Sequence, residues 1–569
     1  MQEIDKNENK PINEEKKEKI KRWFKDRHNL IFFGIMIFAI VIRLYYFFLT
    51  KNQPLWWDES DYMAYAKNIA GLNTSWIVTP EHNSLFPYIA AFFFKINLSE
   101  YFMKFLLELV PSILLVFLTY KICILMYKDK RIALISSFLM AVLWEMLFDS
   151  FRFHIDNPAL LFGLLSIYVF WKGYEKKEKI FGKIDPKLTM ILTGLFILLS
   201  YSLRRAYLIF GLFLLSYLIL TRKINSLIKD KNNWLALAII IIIFLVIENN
   251  LFISKISDVG SIYYQEKGSI NFKDSLTIFG VYFNSQGNGI INFLYYLFWI
   301  GFFIIIFSIF LSFDKFKKDE SNEEIKSDLF NFLLISLTLL FFIFILRINF
   351  SEGRNYDPRW FFPLIFGSFV CISKGVLFVS DKIKNYNKLL SIAIILILIG
   401  YGGYYELQHA DQTIKLKLNS FNGLKEASRY IKTISNNEDV ILSVPIPQVI
   451  YYSDRKVIEP WRFLNKSSNQ NTTLSEFLTR IGKNKEIKYI LVTFSEPNHP
   501  DWMRKEEYIQ NPQTGQLSYS KWMIPFMNTT INFINNDQDI KQEISYGNVK
   551  FKLLIIKEDV FVYEIIRLT

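Results

Sequence analysis

Apolar runs long enough to cross a bilayer recur along this chain, and that recurrence narrows its fold more than any other feature. Inside hydrocarbon, a run of about 18 or more apolar residues has to be helical, because each backbone polar group must find its partner within the segment. Candidate spans fall at 30–50, 101–126, 131–149, 157–171, 187–203, 205–221, 233–252, 290–312, 329–347, 360–379 and 388–405. One shorter stretch, Leu85 to Ile96, carries Lys95 and is too brief to cross, so it reads as a helix lying in the interface.

Lysine placement sets the expected topology. With the short segment flat, the loops Lys128–Arg131, Lys172–Lys187, Arg222–Lys231, Lys315–Lys326 and Lys382–Lys388 share one side with the basic N-terminal tail. That is the cytoplasmic side by the positive-inside rule. A net charge of +13 would suggest nucleic acid in a soluble protein. Here the positive charge sits in short loops between spans, so no nucleic-acid partner is expected. No small-residue cleavage site follows the first span, which therefore reads as an uncleaved anchor. Cys123 and Cys371 lie inside separate apolar runs and mark neither a disulfide framework nor a metal site.

The expected fold is mainly α: a polytopic helical bundle of about eleven spans plus the interfacial helix, with a C-terminal extracytoplasmic α/β domain. Its parts are a cytoplasmic basic tail over 1–29, a transmembrane domain over 30–405 with an outer loop at 51–100, and a soluble domain over 406–569. In that last region short β-rich runs (Val440–Val444, Tyr489–Thr493, Val549–Ile556, Val560–Ile566) alternate with helical stretches such as Leu424–Ile434. The chain is expected in the plasma (cytoplasmic) membrane with its N-terminus inside.

This topology gathers polar clusters on the outer face. Asp58, Glu59 and Asp61 follow the first span inside Trp56-Trp57-Asp58-Glu59-Ser60-Asp61-Tyr62. Glu81 and His82 precede the flat helix. Arg152, His154 and Asp156 belong to the loop Phe151–Pro158, and Arg204 and Arg205 make a tight turn between two spans. Arg347, Glu352, Arg354, Asp357 and Arg359 fill the last outer loop. Each has a plain structural reading. Interfacial tryptophans anchor helices, arginines snorkel to head groups, and Asp156-Asn157-Pro158 suits a helix start. Convergence of all five clusters at one depth is what favours a functional site, since acids there are costly. Arginine's planar fork matches phosphate oxygens.

At these residues the chain resembles the GT-C superfamily of membrane glycosyltransferases, and within it the protein O-mannosyltransferase and lipid A aminoarabinose transferase branch. The motifs are Trp57-Asp58-Glu59-x-x-Tyr62, Ser84-Leu85-Phe86-Pro87-Tyr88, Phe151-Arg152-x-x-x-Asp156, and Asp357-Pro358-Arg359-Trp360-Phe361-Phe362-Pro363, in order over roughly 30–380. The resemblance implies a lipid-phosphate-linked sugar donor and an acceptor approaching from outside. It implies Asp58 as general base, Glu59 as its neighbour, and Asp156 as a second acid near the acceptor. Arg204, Arg205 and Arg359 would neutralise the donor phosphate, while Glu81, His82, Arg152 and His154 would contact substrate. Relatives often carry two prolines before the flat helix where this chain has Pro87 alone, and some carry lysine where it has His82. Trp56-Trp57-Asp58 also echoes a motif of oligosaccharyltransferase catalytic subunits, but there it lies in the soluble domain, and the echo is set aside on that ground.

Direct displacement at the anomeric carbon needs one carboxylate to take the acceptor's proton and cations to hold the departing phosphate. No nucleotide is required, in keeping with a sequence that offers no glycine-rich phosphate loop. No organic cofactor is expected. A divalent cation on Asp58, Glu59 and Asp156 stays open, without ligand spacing to mark it. Expected partners are the lipid-linked donor, a glycan, lipid or protein acceptor, and the bilayer. The competing expectations are a flippase or transporter for lipid-linked sugar, without bond chemistry, and a sensor on a degenerate enzyme fold. Transporters usually show inverted repeats, and none is evident here.

Overall fold

The computed structural model describes residues 21–72, 76, 84–222, 229, 231–250, 293–318, 323–340, 358–444, 446–459, 463, 474–493, 509–510, 517–518, 543–546, 548–558 and 560–568. Two compact units emerge, one built from 1–51 and 100–416, the other from 52–99 and 417–569. The segment 52–99, expected as an outer loop of the membrane domain, thus groups with the C-terminal region.

The first unit is a bundle of apolar helices. Six helices among the described residues are long and apolar enough to cross a membrane: Arg27–Leu49, Glu100–Tyr127, Pro186–Leu203, Phe293–Leu311, Phe362–Lys384 and Lys388–Leu416. Arg205–Thr221 and Asn233–Asn249 are shorter apolar helices. Large apolar side chains point outward along these helices, with Phe310 79% and Leu389 78% exposed. In water such a surface would be unfavourable; against lipid it is the expected outer face, and the protein is an integral membrane protein. The helix expected to end at 405 runs on to Leu416, because no Pro breaks it and two of its three glycines, Gly402 and Gly403, sit in close helix–helix contacts. The closest approach joins Phe293–Lys318 to Phe362–Lys384. A Cβ on Gly301 would meet the Cys371 carbonyl oxygen at 1.7 Å, and one on Gly375 would meet that of Leu297 at 2.3 Å. Only glycine allows the two backbones to pass so near.

The run 131–149, expected as one span, is two helices, Lys130–Val142 and Trp144–Asp149, broken at Leu143, whose ψ of 122° is not helical. A break leaves carbonyls without partners on one side and N–H groups on the other. Side chains from distant helices supply both. Arg43, fully buried, donates to the carbonyls of Met140 (3.2 Å) and Ala141 (2.9 Å) and to Ser112 Oγ (2.6 Å). Glu406 accepts from the Trp144 N–H at 3.3 Å. The short second helix leads directly into the polar loop that holds His154 and Asp156.

Ion pairs cluster at the end of this unit where the lysine-rich loops lie. Lys130 meets Asp26, Lys128 and Lys176 both meet Glu323 (2.5 Å each), Arg222 meets Glu175 (2.8 Å), and Arg131 meets Asp381 (2.8 Å). Those positions belong to loops or the tail expected on the cytoplasmic side, except Asp381, which directly adjoins one of them.

The second unit combines a mixed sheet with helices. Its strands are β1 (Val440–Leu442), β2 (Lys456–Ile458), β3 (Ile487–Thr493), β4 (Ile509–Gln510), β5 (Leu517–Ser518), β6 (Glu543–Tyr546), β7 (Val549–Lys557) and β8 (Val560–Arg567). The main sheet runs β2-β1-β3-β8-β7-β6, with β4 and β5 paired separately. Strands β2, β1 and β3 are parallel, joined through helices Ile446–Ser453 and Leu474–Lys483, as parallel strands require crossovers. Strands β3, β8, β7 and β6 are antiparallel, and a two-residue turn with Glu558 at φ 52° closes the β7–β8 hairpin. Leu442, Ile490, Val492, Phe551, Phe561 and Tyr563 fill the core. From the segment 52–99 come two helices, Trp57–Ala70 and Leu85–Lys95. At 11 residues the second is too short to span.

Candidate active site

The candidate residues fall into two clusters, one in each unit. In the bundle, the loop after the broken helix brings opposite charges together. Asp156 opens the helix Asp156–Val169 and is fully buried. Its Oδ2 accepts from Arg204 Nη1 at 2.7 Å, and Arg359 Nη1 lies 3.9 Å from the same oxygen. Arg204 ends the helix Thr189–Leu203, and Arg359 sits in the turn Pro358–Phe361 before the helix Phe362–Lys384. Three separate chain segments therefore converge on one carboxylate. The acid expected near the acceptor and two arginines expected on the donor phosphate hold each other.

Arg205 heads the turn Arg205–Leu208. From that turn the Tyr207 hydroxyl reaches the Asp156 carbonyl oxygen at 3.5 Å, the outer limit of a hydrogen bond. Arg152 is almost wholly buried, its guanidinium 5.1 Å from the Phe148 ring centre, a cation–π distance. His154 Nδ1 lies 2.7 Å from Asp149 Oδ1, and both side chains are buried. That contact with Asp149 fixes the orientation of the imidazole ring.

Three residues here escaped the sequence reading. Asp149 lay inside what reads as a continuous span. Tyr207 was one tyrosine among many at the interface. Lys104, buried with its ammonium 5.2 Å from the Phe153 ring centre, sits at the start of an apolar helix. The signal available for Asp149 was its charge in an apolar run, which is costly unless used.

In the second unit, Trp56 precedes the helix Trp57–Ala70 without a side-chain cap, so Asp58 and Glu59 occupy its first turn. Acidic side chains in that turn suit the positive end of the helix dipole. Asp58 is half-buried and Glu59 is 2% exposed, so Asp58 presents the more accessible oxygens. Asp61 accepts from Trp76 Nε1 at 2.5 Å, while Asn68 Nδ2 donates to the Trp76 carbonyl at 2.7 Å. Gly71, at φ +81°, ends the helix in the left-handed conformation that glycine adopts at no steric cost. Burial and the neighbouring Tyr88 hydroxyl push the Tyr65 phenol up to about 12. Glu81, His82, Arg347, Glu352, Arg354 and Asp357 lie outside the described residues, as do the Asn-x-Ser/Thr positions Asn73, Asn465, Asn471 and Asn528. Among the described residues, no group of three His, Cys, Asp or Glu side chains is placed to hold a metal ion.

The family model described as dolichyl-phosphate-mannose-protein mannosyltransferase matches residues 81–247, a stretch that includes Asp156, Arg204 and Arg205. No curated protein sequence matches the chain significantly. Among solved structures, the oligosaccharyltransferase of Archaeoglobus fulgidus tethered to an acceptor peptide aligns at a TM-score of 0.56 and 13% identity, over 86% of this chain and 74% of that one. The same archaeal enzyme in complex with an inhibitory peptide and a dolichol-phosphate aligns at 0.54 and 13%, over 87% and 75%. ArnT from Cupriavidus metallidurans, in the apo state, aligns at 0.50 and 11%, over 93% and 98%. At such identities the structural likeness speaks for the fold. By its motifs, its match to the mannosyltransferase family model and its fold, the chain resembles the GT-C superfamily of membrane glycosyltransferases, in the protein O-mannosyltransferase and ArnT branch.

Proposed function

We propose that this protein is a glycosyltransferase that moves a sugar from a polyprenyl-phosphate carrier to a hydroxyl on an extracytoplasmic acceptor. The observation that carries the reading is the meeting of Asp156, Arg204 and Arg359 from three chain segments, within a fold shared with an archaeal enzyme solved with dolichol-phosphate. Support for the topology comes from the ion pairs that join the lysine-rich helix ends, which leave this cluster with the lysine-poor loops. On this reading the N-terminus is cytoplasmic, about eleven spans cross the plasma membrane, and the sheet domain lies outside.

In the transfer step, the acceptor oxygen forms a bond to the anomeric carbon as that carbon's bond to the phosphate oxygen breaks. Asp58 takes the hydroxyl proton, and polyprenyl phosphate departs carrying the bonding electron pair. Single displacement inverts the anomeric centre. Glu59, buried and adjacent to Asp58 in the first turn of the helix, shapes the geometry of the acceptor site. Arg204, Arg205 and Arg359 stabilise the phosphate charge as it grows, so Arg204 and Arg359 exchange part of their hold on Asp156 for the donor. Arg152 and His154, like Glu81 and His82, contact substrate.

The test is to incubate purified protein in detergent with lipid extracts as donor and detect products by mass. Transfer predicts free polyprenyl phosphate together with a glycosylated acceptor. Recovery of the lipid-linked sugar intact under all donor and acceptor conditions would instead leave a carrier without bond chemistry.

A further inference from the structure

The helix that bears Asp58 is held by the C-terminal sheet domain, and its attachment is specific at both ends. Fourteen residues with no side-chain cap make a marginal helix in isolation, so the geometry of Trp57–Ala70 depends on what it packs against. At its leading end, the N–H of Leu55, a fully buried residue, donates to the Tyr452 hydroxyl at 2.7 Å. Gln53 Nε2 donates to the Lys417 carbonyl and Lys425 Nζ to the Asn52 carbonyl, both at 2.8 Å. Trp56 and Trp57 both meet the Phe421 ring edge-on, at 6.0 and 6.1 Å between centres, and Lys417 Nζ stands 4.7 Å from the Trp56 ring. At the trailing end, Lys67 Nζ donates to the Tyr451 carbonyl (2.7 Å) and to Asp454 Oδ1 (2.8 Å), and it lies 4.1 Å from the Tyr451 ring centre.

Phe421 supplies an independent sign. Its φ is +66°, a left-handed conformation that costs a residue with a bulky side chain on the order of 1 kcal/mol. Glycine or asparagine would take that position more cheaply, but neither would offer a ring to two tryptophans.

We infer that Tyr452, Lys67 and Asp454 are positioning residues: helix Ile446–Ser453 and its flanks clamp the Asp58-bearing helix at both ends and fix where that carboxylate stands. The inference rests on the role proposed above for Asp58. It makes the sheet domain part of the catalytic apparatus through its hold on a single helix. Small errors in placing a reacting group cost large factors in rate, so the clamp should act on turnover more than on donor affinity.

The experiment uses the full chain in detergent. Tyr452→Phe removes one oxygen and keeps the ring; Lys67→Met removes the trailing anchor, and Lys67→Arg preserves its charge. Single-turnover rate, donor KM and hydrogen exchange over residues 54–62 are measured for each. Expected are a rate lowered about tenfold or more in Tyr452→Phe and Lys67→Met, donor KM within about twofold, and partial rescue in Lys67→Arg. Exchange at 54–62 should rise while β3 and β8 keep their protection. Glu426→Gln, which alters an exposed pair with Lys557 in the same domain, should match the parent protein. Parental exchange in Tyr452→Phe, or faster exchange with undiminished turnover, would overturn the inference. Retained turnover in Asp58→Asn would instead overturn the proposed base, and the exchange data would then still say whether the domain holds the helix.

Discussion

A carboxylate sealed from solvent beside two guanidiniums can be neither ignored by the fold nor cheaply removed from it. Asp156 has that setting, 2.7 Å from Arg204 and 3.9 Å from Arg359. Removing one member of a buried pair strands the other charge and costs roughly 3–5 kcal/mol. Arg204→Ala should therefore lower the melting temperature in detergent, and Asp156→Asn combined with Arg204→Ala should recover much of the loss. A double variant no more stable than Arg204→Ala would separate these residues energetically. Asp454 offers a pH-dependent counterpart in the sheet domain. Burial alone would raise its pKa, but the ammonium groups of Lys67 and Lys432 outweigh burial and hold it below the ordinary aspartate value. A depressed folded-state value stabilises the domain above the unfolded pKa and loses that contribution as pH falls through the folded one. Asp454→Asn should thus be less stable than the parent at about pH 7, with the gap closing as pH falls below the ordinary aspartate range and through the depressed folded-state pKa. A gap that widened on acidification would contradict the assignment.

At the scale of elements, the helix pair Phe293–Lys318 and Phe362–Lys384 depends on Gly301 and Gly375. A methyl group at Gly301 would overlap the Cys371 carbonyl, so Gly301→Ala should destabilise the bundle by about 1–3 kcal/mol, read as a lower melting temperature. The break at Leu143 depends in the same way on Arg43. Arg43→Met leaves the Met140 and Ala141 carbonyls buried without their donor, at about 1–3 kcal/mol for each group. Both variants should fold less stably even where nothing near Asp58 has changed; unaltered melting would show that the helices adjust. These elements also show what the sequence could reveal. Strands β3, β7 and β8 were legible because their β-branched runs are bounded by polar turn residues, and β3 and β8 each hold four consecutive buried residues, as strands covered on both faces do. The break at Leu143 was not legible, since both groups that satisfy it come from helices far away in the chain. Asp149 was hidden for a different reason: the apolar run continued straight through it.

For the molecule as a whole, charge placement was the most readable feature. Loop lysines sorted the helix ends into two sets, and the ion pairs among Asp26, Lys130, Glu175, Arg222, Glu323 and Lys128 join members of one set. The meeting of Asp156 with Arg204 and Arg359 joins members of the other. Which arginine takes Asp156 was not legible, because that depends on helix rotation and depth, which hydropathy alone leaves open. Nor did composition indicate that the segment 52–99 belongs with the sheet domain, since the hydrogen bonds that tie it there come from Tyr452, Asp454 and the carbonyls of Lys417 and Tyr451.

Asp58 is the group proposed to accept the proton, and every other role at the site depends on it. Release of free polyprenyl phosphate by purified Asp58→Asn, compared with the parent protein at equal folded concentration, measures that directly. A loss of about 10²-fold or more, with melting temperature and donor binding preserved, is the predicted result. Turnover near the parental rate in a folded Asp58→Asn protein would contradict it.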